Sequence, residues 1–229
     1  MEKVATNYNN EIAYIREGQG FPVILIHGLD GNMASLYSLK DELKHKFEVI
    51  VYDVRGHGKS TKKNSFNLED HVEDLKALMT KLNISSAHLI GHDMGGLIAK
   101  HFTDKSEALI LLLPYMYKEQ EKAKKWFQNQ LIYSRQSAED SAVATRALMN
   151  FPVFNKDVVI KQTDVPTLIV NGVYDPLMTT ETIEKYHYSF TRLLIQTFNE
   201  SGHAPHIEEP EHFLDVYSDF IEANEFQKE

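Results

Sequence analysis

A chain of 229 residues, 42% hydrophobic and 25% charged, has the size and balance of one folded domain with a large core and an insertion, which excludes a disordered polymer. Its 24 basic and 33 acidic residues leave a net charge of −9, which argues against nucleic acid or an anionic membrane surface as the main partner. The absence of cysteine excludes disulfides, thiolate nucleophiles and Cys-ligated zinc.

The N-terminal MEKVATNYNNE has no apolar stretch of a signal peptide, so a cytoplasmic location is the expectation. VATNYN and EIAYIREG flank Asn9 and Asn10 and predict a β-hairpin. FPVILIHG is a continuous apolar run ending in glycine, the pattern of a strand buried on both faces. Leu36, Leu39 and Leu43 predict a helix over 34–47, and EVIVYD predicts the next strand. Asn67 is a cap for a helix through Leu82, with Leu68, Val72, Leu75, Leu78, Met79 and Leu82 on its apolar face. Glu69, Glu73 and Asp74 read as its solvated face.

AHLIGHD is the following strand, and MGGLIAKHF opens a helix directly from it. ALILLLPY is a further strand; even continued through Pro114 to Tyr117, this longest apolar run is far too short to span a bilayer. Residues 118–163 are charged and helical in pattern, without strand alternation. TLIVNG, a helix near Glu181 to Tyr188, RLLIQTF and a helix from Pro210 complete the series. Strands alternating with helices predict an α/β fold, with a mostly parallel central sheet flanked by helices. Residues 1–117 and 164–229 form its core, and 118–163 form a short helical cap insertion.

Ligands of open α/β sheets bind beyond the carboxyl ends of the strands. His27-Gly28, Asp93 and Asp175 fall at such ends, and His203 lies in the loop after the last strand. Gly91-His92-Asp93-Met94-Gly95, between a strand and a helix, matches a nucleophile elbow except at its centre. His27-Gly28-Leu29 has the form of an oxyanion loop, Asn171 to Pro176 that of an acid position, and Ser201-Gly202-His203 that of a catalytic histidine loop. The chain order is nucleophile, acid, histidine. On these motifs, together with the turn Asp53 to Ser60, the sequence resembles the α/β-hydrolase fold family over essentially its whole length.

The elbow carries aspartate where serine is usual. A carboxylate with an ordinary pKa of about 3.9 is charged at neutral pH without a base. Its attack on an acyl group gives a mixed anhydride, whereas attack on an sp³ carbon bearing a leaving group gives an ordinary ester. Water activated by a histidine can then hydrolyse that ester. The sequence accordingly resembles the Asp-nucleophile branch, the epoxide hydrolases and dehalogenases. The resemblance implies Asp93 as nucleophile, His203 as base, Asp175 as the acid that orients it, and the N–H groups of Leu29 and Met94 as oxyanion hole.

Haloalkane dehalogenases follow the nucleophile with Trp and haloacetate dehalogenases with Arg, whereas this chain has Met94. Epoxide hydrolases carry proline in the oxyanion loop, where this chain has Asp30, and use two cap tyrosines as acids. Tyr115, Tyr117 and Tyr133 are available for that role, although no tyrosine lies between 134 and 173. Epoxide opening is therefore the leading reaction. Dehalogenation of small halogenated acids or alkanes is one alternative; an esterase-lineage protein with an altered nucleophile, acting as a binding protein, is another.

Tyr115, Tyr117, Trp126 and Tyr133 are the candidate substrate-binding side chains, with packing in the cap as the plainer role. Arg55, His57 and Ser60 read as structural, and His92 as a residue that packs or hydrogen-bonds locally. His203, His206 and His212 do not have metal-ligand spacing, so no metal or organic cofactor is expected. The expected partner is a small-molecule substrate, with no nucleic acid and no membrane; nothing points to a particular oligomer.

Overall fold

The computed structural model describes residues 1–6, 10–29, 31–102, 106–112, 139–140, 142–143, 146, 162–175 and 186–225. Strands β1 (Glu2–Ala5) and β2 (Glu11–Glu17) form the expected hairpin, whose turn is closed by Thr6 N–H donating to Asn10 O. Then come β3 (Pro22–Ile26), a 3-10 turn (Met33–Leu36), α1 (Tyr37–Leu43), β4 (Glu48–Tyr52) and α2 (Leu68–Lys81). β5 (Ala87–His92) leads into α3 (Met94–His101), followed by β6 (Ser106–Leu112) and β7 (Thr167–Gly172). β8 (Leu193–Phe198), the short α4 (Pro205–Glu208) and α5 (Pro210–Glu225) end the described chain.

Among the described residues one sheet of eight strands runs in the order β1-β2-β4-β3-β5-β6-β7-β8. β1, β2 and β4 pair antiparallel, and every pair from β4–β3 onward is parallel. Side chains of a strand alternate between faces, so the apolar runs fill two cores at once. Ile24, Ile26, Ile50, Tyr52 and Leu89 pack on the side of α2 and α3, against Leu75, Leu78 and Ile98. Val23, Leu25, Val49, Val51 and Ile90 pack on the other side, against Leu36, Leu39, Phe213 and Tyr217. The crossing point, where β3 sits between β4 and β5, puts the ends of β3 and β5 side by side. That is where the motif residues gather.

Two expectations need correction. The helix expected over 34–47 begins as a 3-10 turn, because the Asn32 side chain caps Ala34 N–H, and its α portion ends at Leu43. Asp74 does not belong to a solvated face. It is 2% exposed, and its carboxylate takes Nε and Nη2 of Arg55 and the hydroxyl of Thr6. The expected cap, 118–163, lies outside the described residues except at its margins and a few positions between 139 and 146; of the helix near 181–188, only the turn from Tyr186 is described. No helix among the described residues is long and apolar enough to cross a membrane.

Candidate active site

Between the end of β5 at His92 and the start of α3 at Met94, Asp93 alone makes the turn. Its backbone stands at φ 53°, ψ −118°, a conformation that costs a residue with a Cβ about 1–3 kcal/mol. Asp93 and Asn83 are the non-glycine residues at positive φ among those described. Close packing of strand on helix imposes the bend. A Cβ on Gly91 would lie 2.3 Å from Gly95 O, and one on Gly95 would lie 2.1 Å from Ile26 O. Only glycine lets the backbones approach this closely, so the pattern G-x-D-x-G is a packing requirement. The side chain of Asp93 is thereby presented beyond the sheet, at the N-terminus of α3. There the first-turn N–H groups and the helix dipole favour negative charge.

Leu29 N–H donates to Asp93 Oδ2 at 2.9 Å, so the loop after β3 already holds one carboxylate oxygen. Fully buried His27 fixes that loop. Its Nε2 accepts from Val54 N–H at 3.1 Å, which makes Nδ1 the protonated nitrogen; it donates to Gly28 O at 2.8 Å. Burial pushes the His27 pKa down to about 4, so the ring is a neutral strut between the loops after β3 and β4. Gly28 is forced by Asp93 itself, since a Cβ there would sit 2.9 Å from Asp93 Cβ and 3.0 Å from Oδ2.

Asp175, 5% exposed, follows β7. Its loop is tied to the loop carrying His203 by two backbone bonds, Val173 N–H to Phe198 O and Tyr174 N–H to Ser201 O. The His203 ring lies against the ring of His92, with centroids 4.5 Å apart. Because His92 immediately precedes Asp93, this contact sets the histidine loop beside the elbow. His92 also hydrogen-bonds the backbone carbonyl of His203, and burial lowers its own pKa to about 4. His206 packs on the other side of His92, at 5.2 Å. Burial first, then the nearby His92 and His206, hold the His203 imidazole well below the usual histidine range. His203 is thus a neutral ring with a lone pair to offer.

The structure brings Leu29 directly onto Asp93 and His203 to the elbow through His92, and it pairs the loop of Asp175 with the loop of His203. Met94 is fully buried as the first residue of α3. Tyr115, Tyr117, Trp126 and Tyr133 lie outside the described residues. Arg55, His57 and Ser60 are structural, as expected. Ser60 Oγ donates to Asp53 O and accepts from Ala13 N–H, Arg55 pairs with Asp74, and His57 Nδ1 lies 3.1 Å from Arg55 O. Among the described residues no group of three or more His, Asp or Glu side chains is arranged to hold a metal ion.

Sequence reasoning missed three carboxylates. Asp53 accepts from Met33 N–H and Lys59 N–H, and so joins the loops after β3 and β4. Glu208 accepts from Gly202 N–H and Ala204 N–H, and Glu209 from Ser201 Oγ and Glu200 N–H. The signal was available: two adjacent acids between a histidine loop and the helix-opening Pro210.

A family model for the alpha/beta hydrolase fold matches residues 22–131. Among curated proteins, the 3-oxoadipate enol-lactonase 1 of Acinetobacter baylyi is 26% identical over 79% of this chain and 81% of its own length. The proline iminopeptidase of Heyndrickxia coagulans is 25% identical over 90% of this chain and 92% of its own. A soluble epoxide hydrolase of Corynebacterium is 31% identical over a shorter stretch, 42% of this chain and 34% of its own. Among solved structures, an esterase from Exiguobacterium antarcticum superposes with a TM-score of 0.83 at 20% identity, covering 96% of this chain and 98% of its own. An epoxide hydrolase from Bacillus megaterium gives 0.79 at 20% identity, covering 96% and 100%. The fold is the α/β-hydrolase fold, and the curated relatives matched over most of their length are hydrolases by name.

Proposed function

We propose that this chain with the α/β-hydrolase fold hydrolyses a small electrophile through a covalent ester on Asp93, and that the electrophile is an epoxide. One observation carries the reading: the elbow residue is a carboxylate whose Oδ2 accepts the oxyanion-loop N–H of Leu29. That bond orients the group, assigning Oδ1 to attack and Oδ2 to the position where negative charge later develops.

In the first step Oδ1 forms a bond to a ring carbon as the carbon–oxygen bond of the epoxide breaks. The departing oxygen takes a proton from an acid, for which Tyr115 and Tyr117, just before the cap, and Tyr133, within it, are the candidates. In the second step water gives a proton to His203 and adds to the Asp93 carboxyl carbon. The tetrahedral oxyanion forms on Oδ2, facing the N–H groups of Leu29 and Met94. Collapse breaks the bond to Oδ1, and the diol leaves with the proton from His203. The regenerated carboxylic acid then ionises as the tyrosinate is reprotonated. Asp175 orients His203 and stabilises its charged form.

The enol-lactonase likeness over most of both chains favours a second reading, an ester-cleaving lineage altered at its nucleophile. Turnover of styrene oxide and of p-nitrophenyl acetate by wild type and Asp93→Asn separates the two. The proposal expects epoxide hydrolysis that falls at least about 10³-fold in Asp93→Asn. Ester hydrolysis lost in Asp93→Asn, with no epoxide turnover by either protein, would favour the second reading.

A further inference from the structure

The loop that carries His203 is gripped at two peptide groups, 201–202 and 203–204, by two buried side chains. Glu208 Oε1 accepts Gly202 N–H and Ala204 N–H, each at 3.1 Å, one on either side of His203. His92 hydrogen-bonds the carbonyl of His203 itself and lays its ring on the His203 ring. Glu208 is 8% exposed and His92 4%, so neither contact competes freely with water. Asp93, whose chemistry this loop serves, is the next residue after His92.

We infer that Glu208 and His92 are positioning residues for His203, forming a clamp that fixes the imidazole's height and direction over Asp93. The inference rests on the reading of His203 as the base of the second step. The arrangement goes beyond what closing a short helix requires. A carboxylate at Glu208 that only capped α4 would need the N–H of Ala204, the residue preceding its first turn. The additional bond to Gly202 spans the histidine. His92, from a different strand, fixes the carbonyl between them. With the peptide groups 201–202 and 203–204 held on either side of it, the direction of the His203 Cα–Cβ bond is restricted. A base displaced by about 1 Å loses about 10²-fold in rate.

The clamp acts on the second step alone, which gives the test its discrimination. Amide hydrogen exchange, read without substrate, is expected to speed up at Gly202 and Ala204 in Glu208→Ala and to stay near wild type in Glu208→Gln, whose amide oxygen still accepts. Rapid-quench mass spectrometry with styrene oxide is expected to show ester accumulating in Glu208→Ala and in His92→Phe. Its breakdown should slow about 10- to 100-fold while its formation stays within about twofold of wild type. His203→Gln run alongside distinguishes the two failures. An absent ester in His203→Gln overturns the reading of His203 as base, and with it the role assigned to the clamp. Ester in His203→Gln, with formation and breakdown slowed equally in Glu208→Ala, overturns the clamp and leaves the base. Unchanged exchange at Gly202 and Ala204 also overturns the clamp.

Discussion

At Asp93 the backbone conformation and the side-chain contact serve one end. The strained turn lifts the carboxylate above the sheet, and Leu29 N–H then orients it. The consequence falls on Gly28, where a methyl group would press on Asp93 Cβ and Oδ2. Gly28→Ala is expected to displace the carboxylate from the oxyanion loop. Ester formation should fall about 10- to 100-fold, and thermal unfolding should shift as well, because Asp93 Cβ is fixed by the backbone and cannot rotate away from the added methyl group. Stopped-flow kinetics alongside calorimetry checks both halves. A large loss of stability with kinetics unchanged per folded molecule would contradict the assignment. His27 makes the complementary point: it is a histidine at a strand end that looks chemical in sequence and is a neutral strut in the fold.

At the scale of elements, the turn from Asp53 to Thr61 joins the oxyanion loop to α2. Asp53 reaches Met33 N–H on one side, and Arg55 reaches Asp70 and Asp74 on the other. Breaking a buried pair leaves a charge without its partner and costs about 3–5 kcal/mol. Asp74→Ala is therefore expected to destabilise the protein by about that amount, measured by urea denaturation, whereas Glu73→Ala should change stability by less than about 0.5 kcal/mol. These two neighbours also show where the sequence is legible. The strands and α2 were readable because burial on two faces, or on one stripe, leaves its period in the chain. The elbow was readable because glycines forced by close packing have fixed spacing. Asp74 was misread because its partner, Arg55, comes from a distant turn, and periodicity carries no trace of such pairing. Glu208 went unseen for a related reason: its partners are backbone N–H groups, which have no residue identity.

Across the whole molecule, the histidines couple the fold to pH. His27, His71, His92, His203 and His206 are all held below the ordinary histidine pKa, with burial the largest cause in each case. In the unfolded chain these rings titrate near about 6.5. Below that pH the unfolded state binds more protons than the folded state, so stability is complete above about 6.5 and falls as the pH drops toward about 4. Each histidine contributes a slope of up to about 1.4 kcal/mol per pH unit in that window. Urea denaturation between about pH 7 and pH 5 is expected to show a steep loss, less steep in His206→Phe. The His206 ring nitrogens have no hydrogen-bond partner among the described residues, so the substitution removes a titrating group without breaking such a bond. A stability profile flat across this range would contradict the neutral, buried state assigned to these rings.

The central claim is a covalent ester on Asp93, and trapping it is the most direct measurement. His203→Gln incubated with small epoxides that the wild type turns over is expected to gain the mass of one intact epoxide, because ring opening retains the oxygen. Peptide mapping should place the added mass on Asp93. Wild-type turnover of the same epoxide, with no added mass on His203→Gln or with the adduct on any other residue, would contradict the account.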